Sequence, residues 1–281
     1  MTERTILKVS CADRPGLMAK MTGLLFQYGR NILDAQQFND RATFFMRIVF
    51  ESEAGIQTML KVFEPLATEY NMTWNMRPAE HKQRALILVS KFDHCLGDLL
   101  YRARIGELNM DVVGVISNHP HEVLKNTILG EIPFYYLPIT PETKPQQEAQ
   151  IKQIIEETEA ELIVLARYMQ ILSDDMTQYL SGRCINIHHS FLPGFKGAKP
   201  YHQAYERGVK IIGATAHYVT PDLDEGSIIV QDVEHISHAD SPDDLIRKGR
   251  EIESRVLARA VYYHLEERVL LNGNKTVVFR D

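Results

Sequence analysis

The stretch Ala85-Leu-Ile-Leu-Val-Ser90 is a continuous apolar run that ends in a serine. Such runs are typical of strands that are buried on both faces of a parallel sheet. Similar short runs recur along the chain, separated by segments with the helical spacing of apolar residues. The runs lie at 110–116, 134–137, 162–165 and 184–187, and the helical segments at 96–104, 121–129 and 146–157. This alternation predicts a doubly wound, mostly parallel α/β domain, whose ligands bind at the carboxyl ends of the strands.

The first eighty residues have a different pattern. Strand-like runs lie at 5–11, 31–38, 43–50 and 72–76, and helical segments at 16–28 and 55–68. The order βαββαβ predicts a ferredoxin-like domain with its helices on one face of an antiparallel sheet. A polar segment that begins at Pro78 and ends at Arg84 has the composition of a linker. We therefore expect two domains, at residues 1–80 and 84–281.

Composition excludes several classes of protein. The chain has 281 residues, of which 44% are hydrophobic, enough for the cores of two modest domains. Its formal net charge of −6 provides no basic surface for nucleic acid. The charged amino terminus resembles neither a secretory signal nor a membrane span, so we expect a cytoplasmic protein. Cys11, Cys95 and Cys184 lack metal-ligand spacing and are expected to be reduced thiols, so no metal site is predicted.

Candidate catalytic residues follow the last of the apolar runs. In Cys184-Ile-Asn-Ile-His188 the residues Asn186 and His188 are two apart, so their side chains project from the same face of a strand. The later polar turn Thr220-Pro-Asp-Leu-Asp-Glu-Gly226 contains Asp224. Hydrolysis or transfer of a formyl group needs a donor for the oxyanion, a proton shuttle and an anion that orients the shuttle. We predict that Asn186, His188 and Asp224 form this catalytic group.

Several linked motifs resemble the folate-dependent formyltransferase family. They are Asn186-Ile-His188, Leu192-Pro193, Gly213-Ala-Thr-Ala-His217 and Asp222-Leu-Asp-Glu-Gly226, in the family's order within the C-terminal two-thirds of the chain. The resemblance implies that the Asn-x-His pair and Asp224 are catalytic and that His217 lies near the reaction centre. His189 replaces the proline that is common after the histidine of the transferases, and it is given no catalytic role.

The same resemblance implies a pocket for 10-formyltetrahydrofolate, which is the expected substrate, with no permanently bound cofactor. Residues 165–173 resemble the family's folate-binding loop, and residues 219–224 resemble a second loop that closes over the pterin ring. Apolar walls with a few backbone groups suit a pterin. Within the first of these loops, Ile171 fits a buried core position as well as it fits the pocket wall. The expected folate-binding residues are Leu165, Arg167, Met169, Leu172, His217, Val219 and Asp222.

The acceptor of the formyl group decides between a transferase and a hydrolase. Transferases of purine synthesis that act on a phosphorylated glycinamide have a Gly-Ser-Asn-type loop after the first strand, where backbone N–H groups bind the phosphate. Here Phe92, Asp93 and His94 occupy that place. The pattern therefore resembles a hydrolase that uses water and yields formate and tetrahydrofolate. The alternatives are a formyltransferase with an amine acceptor and a non-enzymatic amino-acid sensor with a folate-binding remnant.

The N-terminal pattern resembles the amino-acid-binding ACT regulatory domain. The residues on which this resemblance rests are Asp13-Arg-Pro-Gly-Leu17 and Asn31-Ile-Leu-Asp34. The resemblance implies an effector site formed by Asp13, Gly16, Leu17 and Asn31, at an edge that two such domains share. Glycine or methionine is the expected effector, and a homo-oligomer is the expected assembly. The alternative is a dimerisation module that binds no ligand.

Overall fold

The computed structural model describes residues 3–52, 55–124, 127–194 and 200–280. Their contacts form two compact units, one of Met1–His81 with Tyr263–Asp281 and one of Lys82–Tyr262. The sequence-based division placed residues 263–281 with the second domain, whereas the contacts group them with the first. In the described part of the chain, none of the helices combines the length and apolar character that a membrane crossing requires.

The first unit is built on the predicted βαββαβ order. Its elements are β1 (Glu3–Ala12), α1 (Leu17–Gln27), β2 (Ile32–Asp40), β3 (Thr43–Ser52), α2 (Ile56–Glu69) and β4 (Thr73–Pro78). The strands pair in the order β2-β3-β1-β4, and every pairing is antiparallel. Both helices bury one apolar stripe in the same core, with Leu17, Met21 and Leu25 from α1. The ferredoxin-like prediction is confirmed.

The second unit is a doubly wound α/β domain. Its elements are β5 (Gln83–Val89), α3 (His94–Arg104), β6 (Met110–Ser117), β7 (Phe134–Tyr136), α4 (Lys144–Glu157), β8 (Leu162–Leu165), α5 (Asp174–Tyr179), β9 (Cys184–His188), α6 (Pro200–Arg207), β10 (Ile211–Tyr218), β11 (Ile228–His235) and α7 (Pro242–Leu265), whose last turn belongs to the first unit. The sheet order is β11-β10-β9-β8-β5-β6-β7. The strands from β9 to β7 pair in parallel, whereas β10 pairs antiparallel with both β9 and β11. The predicted fold class is confirmed.

One predicted helix is wrong. Within residues 121–129 the structure contains only a short 3₁₀ helix, His121–Val123, and residues 125 and 126 lie outside the described part. Thr127 is drawn into a tertiary contact, because its Oγ1 donates a hydrogen bond to Oδ2 of Asp93 at 3.0 Å. Such contacts override weak helix propensity.

The C-terminal segment completes the first unit. After α7 the chain forms a hairpin of β12 (Val269–Asn272) and β13 (Lys275–Val278). Leu270 and Phe279 pack against Phe45. Nearby, the buried carboxylate of Glu267 pairs with Lys8 at 2.5 Å and with Arg77 at 3.1 Å. This segment therefore supplies both apolar and charged contacts to the first unit.

Candidate active site

The carboxyl end of β9 places Asn186 and His188 at the centre of the sheet edge. Both side chains project from one face, since they are two residues apart. Asn186 lies beside Leu165 of β8 and directly opposite His217 of β10. The predicted folate loop, which follows β8, therefore begins next to the Asn-x-His pair.

Asp224 contacts His188, as the sequence predicts for a catalytic pair. Oδ1 of Asp224 lies 3.2 Å from Nδ1 of His188, and both side chains are largely buried. The turn that carries Asp224 holds it at a φ of 58°, a left-handed conformation that aspartate tolerates better than most residues. Burial alone would raise the pKa of Asp224, but the hydrogen bond from His188 outweighs burial and holds the pKa well below its ordinary value.

The hydrogen-bond partners define the state of His188. A carboxylate only accepts hydrogen bonds, so Nδ1 of His188 carries the proton that points to Asp224. Nε2 is buried and has no hydrogen-bond partner among the residues that the structure describes. His188 lines an open cleft, so Nε2 is the ring nitrogen left for a substrate or a water molecule.

His217 orients the side-chain amide of Asn186. Nδ1 of His217 lies 2.8 Å from the carbonyl oxygen of Tyr218 and must donate to it. In neutral His217, Nε2 is then an acceptor, and Nδ2 of Asn186 lies 3.3 Å from it. One N–H of the Asn186 amide is thereby used, and the second is left to donate to a ligand in the cleft.

Thr215 holds the loop that follows His188, a role the sequence analysis did not identify. Its buried hydroxyl donates to the carbonyl of Ser190 and accepts from the backbone N–H of Leu192. Nε2 of Gln231 also donates to this hydroxyl. The motif Gly213-Ala-Thr-Ala-His217 contains Thr215, but only the cross-strand register opposite His188 reveals its function.

A cleft of about 230 Å³, open to solvent, surrounds these residues. It contains all three predicted catalytic residues and most of the predicted folate-binding residues, namely Leu165, Arg167, Met169, Leu172, His217 and Val219. Asp222 does not line it. That residue is exposed, and its carbonyl accepts hydrogen bonds from Thr220 and Glu225 within the turn. Ile171 and Leu223 line the cleft with more than half of their surface exposed, so Ile171 is not a buried core residue.

Ser90, at the end of β5, fixes the start of the predicted folate loop. Its Oγ accepts a hydrogen bond from the backbone N–H of Met169 at 3.0 Å and donates to Oδ1 of Asn118 at 2.7 Å. The backbone N–H of Ser90 also donates to the carbonyl of Arg167. These bonds hold the loop although Arg167 adopts a φ of 64°.

The side chains of the segment after β5 are engaged in contacts with other parts of the second unit. Asp93 is buried and bonded to Thr127, and Nε2 of His94 lies 2.8 Å from Glu253. His94, Cys95 and Glu253 also have the spacing of a metal site. Burial and the charge of Glu253 raise the pKa of the Cys95 thiol. The hydrogen bond between His94 and the Glu253 carboxylate accounts for this group.

The predicted effector residues of the first unit lie at two ends of its sheet. Gly16 begins α1 with a φ of 90°, Asp13 is exposed beside it, and Leu17 is buried in the core. Asn31 instead bonds to Glu51, near the other end of β3. The two ends are roughly 25 Å apart at the rise of an antiparallel strand. A single copy of the chain therefore does not bring Asn31 to Gly16.

Comparison with known families agrees with this organisation. The Formyl transferase family model matches residues 83–261, and the ACT domain model matches residues 5–67. The first match covers the sheet and cleft of the second unit. The second covers most of the ferredoxin-like unit.

Relatives that match along the whole chain give a narrower assignment. A formyltetrahydrofolate deformylase of Corynebacterium sp. (strain P-1) is 46% identical over 282 residues, which cover 99% of this chain and 98% of the relative. The chain belongs to the formyltetrahydrofolate deformylase family.

Solved structures agree with membership of the deformylase family. The crystal structure of formyltetrahydrofolate deformylase from Burkholderia mallei ATCC 23344 is 47% identical, with a TM-score of 0.93 over 99% of this chain and 100% of that one. Glycinamide ribonucleotide transformylase 1 from Symbiobacterium toebii is 28% identical, with a TM-score of 0.65 over 73% of this chain and 98% of that one. The chain thus shares a fold with this transformylase over 73% of its length.

Proposed function

We propose that the chain hydrolyses 10-formyltetrahydrofolate to formate and tetrahydrofolate, with water as the formyl acceptor. Membership of the deformylase family supports this reaction. The observation that carries the mechanism is that Asn186, His188 and Asp224 line one cleft beside the loop after β8, with His188 in contact with Asp224. These groups meet the two requirements of formamide hydrolysis, an oxyanion donor and a proton shuttle.

His188 acts as the proton shuttle. Asp224 accepts the Nδ1–H bond, so Nε2 is free to take a proton from water as the water oxygen attacks the formyl carbon. The oxyanion of the tetrahedral intermediate accepts a hydrogen bond from the free N–H of Asn186. The low pKa of Asp224 makes it a weak base, so its role is to orient His188 and to stabilise the imidazolium.

Collapse of the intermediate completes the reaction. The carbon–nitrogen bond breaks, and Nε2–H of His188 gives its proton to the leaving folate nitrogen. The formyl carbon leaves as formic acid, which ionises to formate at neutral pH. One water is consumed for each formyl group, and His188 returns to its neutral state.

Water is favoured over an amine by the segment after β5. Asp93 and His94 are engaged with Thr127 and Glu253, and the side chain of Phe92 lies under the guanidinium of Arg167. These side chains occupy the place where a phosphate loop would present backbone N–H groups. A phosphorylated glycinamide has no prepared site there.

The test is an assay of the purified chain with 10-formyltetrahydrofolate and no amine. Hydrolysis predicts formate and tetrahydrofolate in equal amounts. Turnover that begins only when an amine is added would instead indicate a formyltransferase, and binding without any turnover would indicate a sensor. In a parallel calorimetric titration, glycinamide ribonucleotide should give no saturable heat.

Residues 1–80 supply amino-acid regulation in this proposal, and the second unit supplies catalysis. The ACT match supports an amino-acid effector, and glycine or methionine is the proposed one. Because Asn31 and Gly16 lie at opposite ends of the sheet, a ligand that contacts both must lie between two copies of the chain. A homo-oligomer therefore forms part of the proposal.

A further inference from the structure

A buried polar cluster lies beside the catalytic residues. We call it the Arg167 cluster, and it consists of His94, Arg167, Tyr201 and Glu253. Glu253, on α7, is almost completely buried. Its carboxylate accepts hydrogen bonds from Nε2 of His94 and from the hydroxyl of Tyr201. Two hydrogen-bond donors thus satisfy much of this buried carboxylate.

Arg167 is the member of the cluster that keeps unused donors. Its Nε lies 3.3 Å from Glu253, close enough for charge attraction but without hydrogen-bond geometry. Among the described residues, neither Nε nor Nη1 of Arg167 has a hydrogen-bond partner, although its side chain is only 9% exposed. A buried charged donor without an acceptor is costly, so this guanidinium is suited to receive an anion.

The position of Arg167 indicates where such an anion would bind. Arg167 lines the same cleft as Asn186 and His188, where the formyl group is cleaved. Its positive charge also reaches the adjacent His189, whose pKa is lowered to about 4 by burial and by Arg167. His189 is therefore neutral at physiological pH, and Arg167 supplies the local positive charge.

We propose that Arg167 is a carboxylate-binding residue that receives formate, the product of the reaction. This rests on the proposed hydrolysis, because formate is made only there. A planar guanidinium matches a carboxylate with two parallel hydrogen bonds. Glu253 holds Arg167 and weakens anion binding through its own negative charge, which keeps the product releasable. The glutamate tail of a folate offers the same chemistry, so the experiment must separate the two carboxylates.

Two substitutions should change formate binding in opposite directions. Inhibition by sodium formate is measured at constant ionic strength, with sodium chloride as the reference salt. Arg167→Met should raise the inhibition constant for formate at least tenfold. Glu253→Gln keeps a side chain of the same shape but removes the opposing charge, and it should lower that constant several-fold. Arg183→Met is the matched control, because Arg183 contacts Tyr179 and the carbonyl of Ala160 and does not line the cleft.

A second readout separates this proposal from the proposed reaction. Formate should raise the melting temperature of the folate-free wild-type protein, and Arg167→Met should abolish the shift. Absence of hydrolysis together with this shift would refute the reaction and leave the carboxylate site standing. Equal formate inhibition of the wild type and Arg167→Met, or changes of the same sign in both variants, would overturn the site. The site would also be overturned if Arg167→Met lost only its preference for folates with a glutamate tail over analogues without one.

Discussion

Asn186 and His217 face each other across β9 and β10, with Nδ2 of Asn186 3.3 Å from Nε2 of His217. Because Nδ1 of His217 donates to the carbonyl of Tyr218, the histidine presents an acceptor to Asn186. The hydrogen bond therefore determines which end of the Asn186 amide faces the substrate. We therefore propose that His217 acts on the reaction through Asn186.

His217→Phe keeps a ring in this buried position but removes the acceptor. We expect kcat to fall about tenfold, equivalent to about 1.4 kcal/mol, because one orienting hydrogen bond is lost. In the Asn186→Ala background the same substitution should have little further effect, as a double-mutant cycle would measure. An equal loss in both backgrounds would show that His217 acts independently of Asn186.

Gly226 lies in the turn that carries Asp224 and packs against β10. A Cβ at this position would lie 1.7 Å from the carbonyl oxygen of Tyr218 and 3.0 Å from Nδ1 of His217. Gly226→Ala must therefore displace the turn that carries Asp224. We expect kcat to fall roughly 10- to 100-fold and the melting temperature to fall by roughly 4 to 8 °C, as for a loss of about 2 kcal/mol. Gly23→Ala is the control, since no atom lies near its added Cβ. Wild-type kcat in Gly226→Ala would refute the close fit.

Asp224→Asn tests the orientation of His188. Asparagine tolerates the left-handed conformation at this position, so the fold and folate binding should survive. Steady-state kinetics should show a fall in kcat of about 10³-fold, because the amide cannot stabilise the imidazolium. Asp222→Asn on the same turn is the matched control, because Asp222 is exposed and outside the cleft. Rates of Asp224→Asn within a few-fold of wild type would remove Asp224 from the mechanism.

The pKa of Asp224 also predicts a pH dependence of stability. Because the folded-state pKa lies below the ordinary value, the ionised carboxylate stabilises the fold fully above about pH 4, the unfolded value. This contribution decreases as pH falls through the folded-state pKa. Asp224→Asn lacks it, so the difference in unfolding free energy between the variant and the wild type should shrink only below about pH 4.

Short-range patterns predicted the catalytic sheet. The apolar run of β8 and the two-residue spacing of Asn186 and His188 are local signals of a buried strand and a shared face. The carboxyl-edge rule for doubly wound sheets then placed the candidate site. His188 and Asp224 are 36 positions apart in the chain, so no local pattern predicts their contact. It was expected from the family motif.

Contacts between distant segments could not be read from local patterns. Glu267 pairs with Arg77 across 190 residues, which brings the C-terminal segment to the first unit. Thr215 and Gly226 also appear as ordinary strand and turn residues until their backbone neighbours are known. The helix predicted at 121–129 is wrong for the same reason, because Thr127 hydrogen-bonds to Asp93, which lies in a distant segment of the chain.

Amino-acid control is tested in the full-length chain. Truncation through Arg77 would remove the partners of Glu267 and destabilise the C-terminal segment. We therefore expect millimolar glycine or methionine to change the rate or melting temperature of the wild type, and Gly16→Val to abolish that response. Gly55→Val is the control, because Gly55 also begins a helix of this unit at a positive φ. No response of the wild type to either amino acid would leave the unit as an assembly module.

The identity of the formyl acceptor is measured by turnover of 10-formyltetrahydrofolate in ¹⁸O-labelled water without an amine. If His188 activates water, mass spectrometry will find formate that carries an oxygen from the solvent, in an amount equal to the tetrahydrofolate formed. Formation of tetrahydrofolate only after an amine is added, with the formyl group on that amine and no labelled formate, would contradict hydrolysis.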